Sequence, residues 1–163
     1  MSVSKKELKT GQAAPDFNLP VDGGGYISLA QFAGRKLVIF FYPKDDTPGC
    51  TTQSCGFRDQ QKEFENAGVQ VIGLSKDSVK SHEKFKAKHN LNFPLASDEH
   101  SDTCEKYGVW AEKSMYGKKY MGIERTTFLI DEQGKIAQIW RNVKVPGHVE
   151  DVFKAAEGLR KAA

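Results

Sequence analysis

Apolar runs of strand length alternate with helical patterns in the first half of the sequence. Leu37–Tyr42 is apolar at every position, which is typical of a strand buried on both faces, and Val69–Leu74 indicates a second strand. Between them we expect a helix that begins at Pro48, has Thr47 as its N-cap and stops at Gly68. Another helix is predicted after the second strand, because one side of it carries Val79, His82, Phe85 and His89.

Two turn-forming segments predict hairpins, one near the start of the chain and one in its last third. The turns are at Asp22–Gly25 and Asp131–Gly134, each between short apolar runs. The flanking strands are predicted at Phe17–Leu19, Tyr26–Leu29, Thr126–Ile130 and Lys135–Trp140. A closing helix from about Gly147 is indicated by helical spacing of Val149, Val152, Phe153, Ala156 and Leu159.

The predicted order of elements is strand, helix, strand, helix, a long connection, a hairpin and a closing helix. Helices that join parallel strands cover the faces of the sheet, and the hairpin adds an antiparallel pair. We therefore predict an α/β protein of thioredoxin-like fold, with a mixed central sheet flanked by helices and an N-terminal hairpin. The length of 163 residues fits one domain spanning 1–163.

The charge pattern and the short apolar runs exclude several classes of protein. There are 24 Lys and Arg against 21 Asp and Glu, and the signs are interspersed, unlike the clustered basic residues of a nucleic-acid-binding protein. The longest apolar run, Leu37–Tyr42, is far shorter than the ~20 residues of a membrane-spanning helix. No apolar segment follows the basic residues at positions 1–9, so no secretory signal is recognised and we expect a cytoplasmic protein.

The cysteines favour thiol chemistry over a disulfide scaffold, because their number is odd and a cytoplasmic thiol is kept reduced. Cys50 falls at the third position of the predicted helix, where unpaired N–H groups and the helix dipole favour an anion. The thiolate, which is the reactive form of cysteine, is therefore favoured there. The hydroxyl of Thr47 has two plausible uses, capping the helix or bonding the sulfur.

The helical positions of Cys50 and Cys55 separate their side chains. Cys50 shares a face with Phe57 and Phe64, which we expect to pack on the sheet. Cys55 is rotated by ~140° toward the polar side, and its Cα would lie ~8.6 Å from that of Cys50 in an intact helix. A disulfide needs Cα atoms within ~7 Å, so its formation requires the first turns of the helix to unwind. Such a segment would be helical when reduced and locally unfolded when bridged.

Other uses of cysteine are alternatives that the residues leave open. Cys50 and Cys55 have a spacing found in zinc ligands, but no second Cys or His pair completes a tetrahedral set. A cysteine hydrolase would need a histidine base, and none of the four histidines has a local signature for it. The two-residue spacing of thioredoxin-type dithiols is absent. Cys104 has no comparable placement, and we interpret it as structural or incidental.

The segment around Cys50 resembles the peroxiredoxins. Their signature of proline, three residues, threonine, two residues and cysteine is matched by Pro43, Thr47 and Cys50. Cys55, five positions after Cys50, is similar to the second cysteine of the atypical two-cysteine subgroup called PrxQ or bacterioferritin comigratory protein. The resemblance covers nearly the whole chain, since it also includes the closing helix and the segments Gly11–Phe17, Tyr107–Trp110 and Gly122–Asp131.

This resemblance implies a thioredoxin-dependent peroxidase for hydrogen peroxide and organic hydroperoxides. Cys50 would be oxidised by the peroxide to a sulfenic acid, and Cys55 would resolve it as an intramolecular disulfide that a thioredoxin-type dithiol reduces. Arg125 would favour the thiolate and position the peroxide oxygens. Thr47 would hydrogen-bond the peroxide, and Pro43 would shield the sulfur from water. We expect a monomer that requires no metal, flavin or haem.

Two alternative functions use the same residues. A redox sensor or holdase would use the unwinding to expose a binding surface to a dedicated partner. A generic thiol reductase would reduce disulfides without specificity for peroxides. Multiple-turnover peroxide kinetics separate both from a peroxidase.

Overall fold

The structure, a computed structural model, describes residues 8–159. The predicted lack of a secretory signal rests mainly on residues before position 8, and the domain limits at 1 and 163 also lie outside the described residues. The strands are β1 (Asn18–Pro20), β2 (Tyr26–Ser28), β3 (Lys36–Phe41), β4 (Val69–Ser75), β5 (Leu95–Ser97), β6 (Trp110–Met115), β7 (Lys118–Ile123), β8 (Thr126–Ile130) and β9 (Ile136–Trp140). The α-helices are α1 (Pro48–Asp59), α2 (Gln61–Asn66), α3 (Val79–His89), α4 (Thr103–Lys106) and α5 (His148–Gly158).

The most apolar run of the sequence forms the centre of the sheet. β3 pairs in parallel with β4 and antiparallel with β8, in a sheet of order β5-β4-β3-β8-β9. Successive side chains enter different cores, with Leu37 and Phe41 on one face and Val38 and Phe40 on the other. The five positions after Lys36 in this strand are all apolar because both faces are covered. The mixed sheet with its helices confirms the predicted fold class.

Each face of the sheet has its own cover. Phe57 of α1, Phe85 of α3 and Val152 of α5 are buried in the core that contains Val38 and Phe40. Burial of one such side chain stabilises the fold by roughly 1.5–3 kcal/mol. The N-terminal hairpin, confirmed as the antiparallel pair β1–β2, covers the opposite face together with the segment around α4. The helix that carries Cys50 is thus held on the sheet by aromatic packing.

The remaining elements of the second half also agree with the prediction. α3 and α5 are observed at the predicted helices. β8 and β9 pair antiparallel, and the Asp131 N–H donates to the Lys135 carbonyl at 2.8 Å across the predicted turn. Among residues 8–159, no helix combines the length and the apolar character needed to cross a membrane.

Two predictions about the middle of the chain were wrong. The single helix expected over 48–68 is divided into α1 and α2 at Gln60, whose φ and ψ are −103° and 11°. The break lets Phe57 of α1 and Phe64 of α2 enter the same core. The expected long connection contains β5, α4 and the β6–β7 hairpin. Most of β7 is exposed, so no alternation of apolar and polar positions marks it in the sequence.

His148, the first residue of α5, is buried against α1 and the sheet. Its Nε2 lies 2.9 Å from the hydroxyl oxygen of Thr127 in β8. Its ring packs edge-on against Phe57 of α1 and Trp140 of β9. This imidazole therefore joins three elements in a largely apolar environment.

Acid should weaken the fold through His148. Burial lowers the pKa of His148 to about 4, while Asp151 raises it and Arg125 lowers it to lesser extents. The unfolded chain binds this proton near pH 6.5, so the contribution of His148 to stability is complete above pH 6.5 and is lost as the pH falls to 4, by about 3 kcal/mol. We expect the free energy of unfolding in urea to fall more steeply over this range in the wild type than in His148→Gln.

The control is His100→Gln, because the His100 side chain is 86% exposed. This variant should follow the wild type at every pH. If His148→Gln showed the same pH dependence as the wild type, His148 would not be the source of the acid sensitivity.

Candidate active site

Cys50 lies where the loop after β3 turns into α1. Thr47 is the N-cap, with an extended backbone at φ −90° and ψ 156°, and Pro48 begins the helix as predicted. The Thr51 N–H donates to the Thr47 carbonyl at 2.8 Å as the first bond of the helix, so the N–H groups of Gly49 and Cys50 have no partner within it. These groups and the helix dipole favour negative charge on the buried Cys50 sulfur.

Arg125 brings a fixed positive charge to the Cys50 sulfur. It lies directly before β8, and its Nη2 donates to Cys50 Sγ at 3.3 Å. Its Nη1 donates to Gln53 Oε1 at 2.7 Å, so two bonds fix the planar guanidinium in one orientation. Its carbonyl accepts from the Val143 N–H at 2.9 Å, which holds the backbone as well. Arg125 thus lies within hydrogen-bond distance of the Cys50 sulfur, and a guanidinium in this position is able to stabilise a thiolate.

Gly49→Ala should slow the reaction with peroxide that the resemblance implies, because the missing side chain of Gly49 leaves space that the Arg125 guanidinium occupies. A methyl group at Gly49 would lie 3.1 Å from Arg125 Nη2, which is tighter than ordinary contact. The guanidinium would have to move away from Cys50 Sγ, and we expect the second-order rate constant for hydrogen peroxide to fall about tenfold. Stopped-flow tryptophan fluorescence of the reduced protein measures this rate.

Gly158→Ala is the matched control, since within residues 8–159 no atom beyond its chain neighbours and its own helix backbone lies within 4 Å of the added methyl group. Its rate should equal that of the wild type. An unchanged rate in Gly49→Ala as well would show that the position of the guanidinium does not matter for the reaction.

Thr47 and Pro43 lie in the loop that leads to Cys50. The Thr47 hydroxyl donates its proton to the Lys44 carbonyl at 2.9 Å and not to the sulfur. Its oxygen accepts no N–H of the helix as a cap, so neither predicted use is observed. The lone pairs of the hydroxyl oxygen can still accept a hydrogen bond. Pro43 is half-buried and follows directly on Tyr42 at the end of the central strand.

Cys55 lies more than one turn after Cys50 and on another side of α1. Cys50 is fully buried with Phe57, whereas Cys55 is half-buried and Asp59 is exposed, which confirms the predicted faces. The helix is continuous over 48–59, and both thiols are free. This is the arrangement expected of the reduced protein, in which the two cysteines cannot bond without unwinding.

Cys104 is separated from both by the sheet. Its thiol lies in the core on the face opposite to Cys50. Burial, followed by the charge of Asp98, raises the pKa of Cys104 and disfavours its thiolate. A buried thiol whose thiolate is disfavoured in this way is chemically inert.

Comparisons of sequence and structure with known proteins agree on one family. The AhpC/TSA family matches residues 10–139. A Coxiella burnetii relative named as a Bcp peroxiredoxin is 56% identical over 145 residues, which are 89% of this chain and 96% of that protein. The solved structure of Xanthomonas campestris peroxiredoxin Q is 47% identical with a TM-score of 0.85, covering 92% of this chain and 95% of the other. The chain belongs to the AhpC/TSA family, as a Bcp/PrxQ peroxiredoxin.

A further structure relates this peroxiredoxin to peroxide chemistry. It is that of the Xanthomonas campestris bacterioferritin comigratory protein, studied for its alkyl peroxide reduction activity. That chain is 46% identical with a TM-score of 0.85, and the match covers 92% of this chain and 96% of that one. The peroxiredoxin is accordingly a thiol peroxidase, an oxidoreductase.

Gln53 belongs to the site of the peroxiredoxin but was missed in the sequence. It is fully buried, and its Oε1 accepts the Arg125 bond described above. Its Nε2 has no hydrogen-bond partner within residues 8–159. The signal that points to it is its spacing, because positions three apart on a helix are neighbours. Gln53 could therefore have been predicted as a neighbour of Cys50 from the predicted helix alone.

A buried network fixes the loop in front of α1. The Asp45 carboxylate accepts from the Tyr42 hydroxyl at 2.6 Å and from the Ser81 hydroxyl at 2.9 Å. The same carboxylate lies 2.7 Å from Nδ1 of His82, and the Asp45 N–H donates to the Asp77 carboxylate at 2.9 Å. These bonds tie the loop to α3 and to the end of β4. No spacing in the sequence links Asp45 to His82, because only the fold brings them together.

This network contains the described residues whose side chains are best placed to hold a metal ion. One ligand atom each of Asp45, Asp77 and His82 lies within 4.8 Å of the others. The carboxylate oxygens are already used, however, since Asp77 Oδ2 accepts from both the Ser75 hydroxyl at 2.6 Å and the Asp45 N–H. The geometry fits a satisfied hydrogen-bond network that positions the loop.

Lys113 of β6 is a second cation in the field of the site. Burial, followed by the charge of Arg125, lowers the pKa of Lys113. The Cys50 sulfur and the Glu124 carboxylate act in the opposite direction. The β6–β7 hairpin also leads directly into this site, because β7 ends two residues before Arg125.

Proposed function

We propose that this peroxiredoxin is a monomeric, one-domain, cytoplasmic peroxidase that reduces hydrogen peroxide and organic hydroperoxides with electrons from thioredoxin. The observation that carries the proposal is the 3.3 Å bond from Arg125 Nη2 to Cys50 Sγ at the start of α1. It brings an ionisable sulfur, a fixed cation and unpaired N–H groups to one point. The proposed cycle uses no metal, flavin or haem.

In the first step the Cys50 thiolate attacks the terminal oxygen of the hydroperoxide. The S–O bond forms as the O–O bond breaks, and the sulfur, oxidised by two electrons, keeps the terminal OH as a sulfenic acid. The other oxygen leaves as hydroxide or alkoxide and takes from water the proton that the Cys50 thiol released on ionising, which gives water or an alcohol. Arg125 and the N–H groups of α1 stabilise the negative charge that moves onto the leaving oxygen. Thr47 accepts a hydrogen bond from the peroxide, and Pro43 limits the access of water.

The composition and packing of α1 favour the unwinding that the second step needs. The helix contains two glycines, which are poor helix formers by roughly 1 kcal/mol each relative to alanine. Within residues 8–159, the buried Gln53 Nε2 and Ser54 Oγ have no hydrogen-bond partner. Each unpaired buried group costs about 1–3 kcal/mol, and unwinding returns both to water. These features reduce the cost of unwinding the first turns of α1.

In the second step Cys55 condenses with the oxidised Cys50. The S–S bond forms as the S–O bond breaks, and the hydroxyl leaves as water with the proton of the Cys55 thiol. A thioredoxin dithiol then attacks the disulfide, gives up two electrons and two protons, and restores both thiols. α1 is thus unwound while Cys50 and Cys55 form the disulfide, and it refolds when the disulfide is reduced.

A groove beside α1 supports organic hydroperoxides as substrates. Its volume is about 660 Å³, and its walls are mainly apolar. It starts at the two residues before Cys50 and extends along α1 to the start of α5. Its lining includes Pro48, Gly49, Thr52, Val145, Pro146 and Val149. An alkyl chain in this groove would leave its peroxide group near the start of the helix.

Cys55→Ser tests the proposed cycle. The reduced variant should consume one equivalent of peroxide at the wild-type rate, because Cys50 and Arg125 are intact. Its sulfenic acid should persist and react with dimedone, and turnover supported by thioredoxin should fall by at least about a hundredfold, since no disulfide forms for the dithiol to attack.

Cys104→Ser is the control with the same atomic change, and it should turn over with thioredoxin as the wild type does. Full thioredoxin-driven turnover in Cys55→Ser would remove Cys55 from the cycle. A wild type that reacts once with peroxide and does not turn over would favour the redox sensor instead.

A further inference from the structure

The β6–β7 hairpin carries most of the exposed large apolar side chains in residues 8–159. Its strands pair with each other outside the central sheet. Tyr116 at the turn is 98% exposed, and Met115, Tyr120 and Met121 are also exposed. The other exposed large apolar side chain of the described residues is Tyr26 of β2. Exposed aromatic and methionine side chains concentrated on one element are typical of a binding surface.

The strand register places lysines and a tyrosine on one face of the hairpin. Lys113 lies opposite Tyr120, and Met115 lies opposite Lys118. Directly opposite residues of an antiparallel pair point to the same side, as do residues two apart in one strand. A methyl group at Gly122 would lie 3.3 Å from Lys113 Cδ and 3.4 Å from Tyr120 Cε2, which confirms the shared side. We call this side, with Lys113, Met115, Lys118 and Tyr120, the lysine–tyrosine face.

The two faces of the hairpin differ in charge. Lys119 and Met121 alternate with the lysine–tyrosine face and point to the other side. There Lys119 Nζ lies 3.6 Å from Glu112 Oε1, so a carboxylate partly neutralises it. On the lysine–tyrosine face, both charged residues at strand positions are lysines. The positive charge of the hairpin is therefore concentrated on that face.

The hairpin that carries the lysine–tyrosine face adjoins the segment that holds Arg125. β7 ends at Ile123, two residues before Arg125. The Glu124 N–H donates to the Val109 carbonyl at 2.7 Å and fixes this junction. A protein held on the hairpin would therefore lie next to the segment from which Arg125 reaches the Cys50 sulfur.

We propose that the lysine–tyrosine face, with Tyr116 at its tip, is the docking surface for the protein dithiol that reduces the Cys50–Cys55 disulfide; this inference rests on the proposed function. The partner would present carboxylates and an apolar patch around its attacking cysteine. Its thiolate attacks one sulfur of the disulfide and breaks the S–S bond, and its second thiol then closes the partner's own disulfide. The partner loses two electrons and two protons, and both cysteines of this chain become thiols.

The charge distribution favours this partner over a second copy of the chain. In a two-fold pairing of hairpins the face would meet itself, and lysines would approach lysines. An anionic lipid surface would attract the same lysines, but the exposed methionines are divided between the two faces. Interfacial elements instead collect their apolar side chains on one face. A compact acidic protein is the occupant that fits both the charge and the position.

Matched substitutions on the two faces test the proposal. Lys118→Glu and Tyr120→Ser change the lysine–tyrosine face, whereas Lys119→Glu and Met121→Ser make comparable changes at adjacent positions on the other face. Each oxidised protein is mixed with reduced thioredoxin, and the second-order rate constant of reduction is measured at several ionic strengths. We expect Lys118→Glu and Tyr120→Ser to lower this rate about tenfold at low ionic strength, and the two controls to stay close to the wild type.

Reduction by dithiothreitol and oxidation by hydrogen peroxide should be unchanged in all four variants, which also shows that they are folded. The thioredoxin rate of the wild type should fall with added salt, and this dependence should weaken in Lys118→Glu. Equal rates for both faces would overturn the inference. The inference would also be overturned if Lys118→Glu and Tyr120→Ser kept the wild-type rate with thioredoxin but lost self-association or binding to anionic vesicles. A wild type that dithiothreitol reduces and thioredoxin does not would instead contradict the proposed function.

Discussion

Replacing Cys50 by serine should abolish peroxide consumption by the thioredoxin-coupled system. Serine retains the size of the side chain but has a hydroxyl that is not ionised at neutral pH and is not oxidised by peroxide. The Arg125 bond and the N–H groups at the start of α1 would then have no thiolate to stabilise. We expect turnover to fall to the rate of the reaction without protein, measured by NADPH oxidation in the presence of thioredoxin and its reductase.

Cys104→Ser provides the comparison, because it makes the same change at a buried cysteine on the opposite face of the sheet. The serine hydroxyl would lie beside the Asp98 carboxylate, which can accept its proton in a hydrogen bond. Activity should therefore persist in this variant. Peroxidase activity in Cys50→Ser, or its loss in Cys104→Ser alone, would place the reacting sulfur elsewhere.

Arg125→Lys should reduce the rate constant for oxidation by hydrogen peroxide by about a hundredfold. Lysine keeps the positive charge but cannot donate in two fixed directions, so it cannot hold both Cys50 Sγ and Gln53 Oε1 as the guanidinium does. The decrease in rate constant would therefore measure the effect of the positions of the two N–H donors as well as the effect of charge. Stopped-flow oxidation measures the peroxide step, and alkylation by iodoacetamide at neutral pH measures the reactivity of the thiolate separately.

Arg141→Lys is the matched control for this change. Arg141 is also half-buried, but its Nη2 donates to the Leu8 carbonyl at 3.0 Å and makes no contact with Cys50. Its oxidation rate should equal that of the wild type. A wild-type rate in Arg125→Lys would show that positive charge alone, without the two directed bonds, accounts for the reactivity of Cys50.

Local rules predicted the reacting end of α1 from the sequence. Thr47, Pro48 and the spacing of Cys50, Phe57 and Phe64 define a helix start and a buried face, and both depend on nearby residues. The position of Arg125 beside Cys50 came from the family resemblance, because the two residues are 75 positions apart and no local pattern joins them. Features that depend on nearby residues were therefore predicted from the sequence, whereas contacts between distant residues could be seen only in the folded structure.

The features that were missed are those that tertiary packing decides. No glycine or proline marks the break between α1 and α2 at Gln60. The break directs Phe57 and Phe64 into one core. The pair of Asp45 and His82 forms only when α3 packs beside the loop. The Thr47 hydroxyl was predicted to bond either the N–H groups of the helix or the Cys50 sulfur. It donates instead to the Lys44 carbonyl in the preceding loop.

The β6–β7 hairpin was missed for a different reason. Its side chains are mostly exposed, so the sequence lacks the alternation that burial of one face would impose. In the proposed docking surface, the side chains suit contacts with a partner and not burial in the core. A polar stretch with scattered tyrosine and methionine is a weak signal for structure and a stronger one for binding.

Disulfide mapping after one equivalent of hydrogen peroxide tests the central claim most directly. The reduced protein is oxidised, its remaining thiols are alkylated in denaturant so that the buried Cys104 is reached, and its peptides are analysed by mass spectrometry without reduction. We expect one cross-link, between Cys50 and Cys55, and an alkylated Cys104. Alkylated Cys50 and Cys55 after the peroxide has been consumed, or a cross-link that involves Cys104, would contradict the unwinding of α1 as the step that joins the two cysteines.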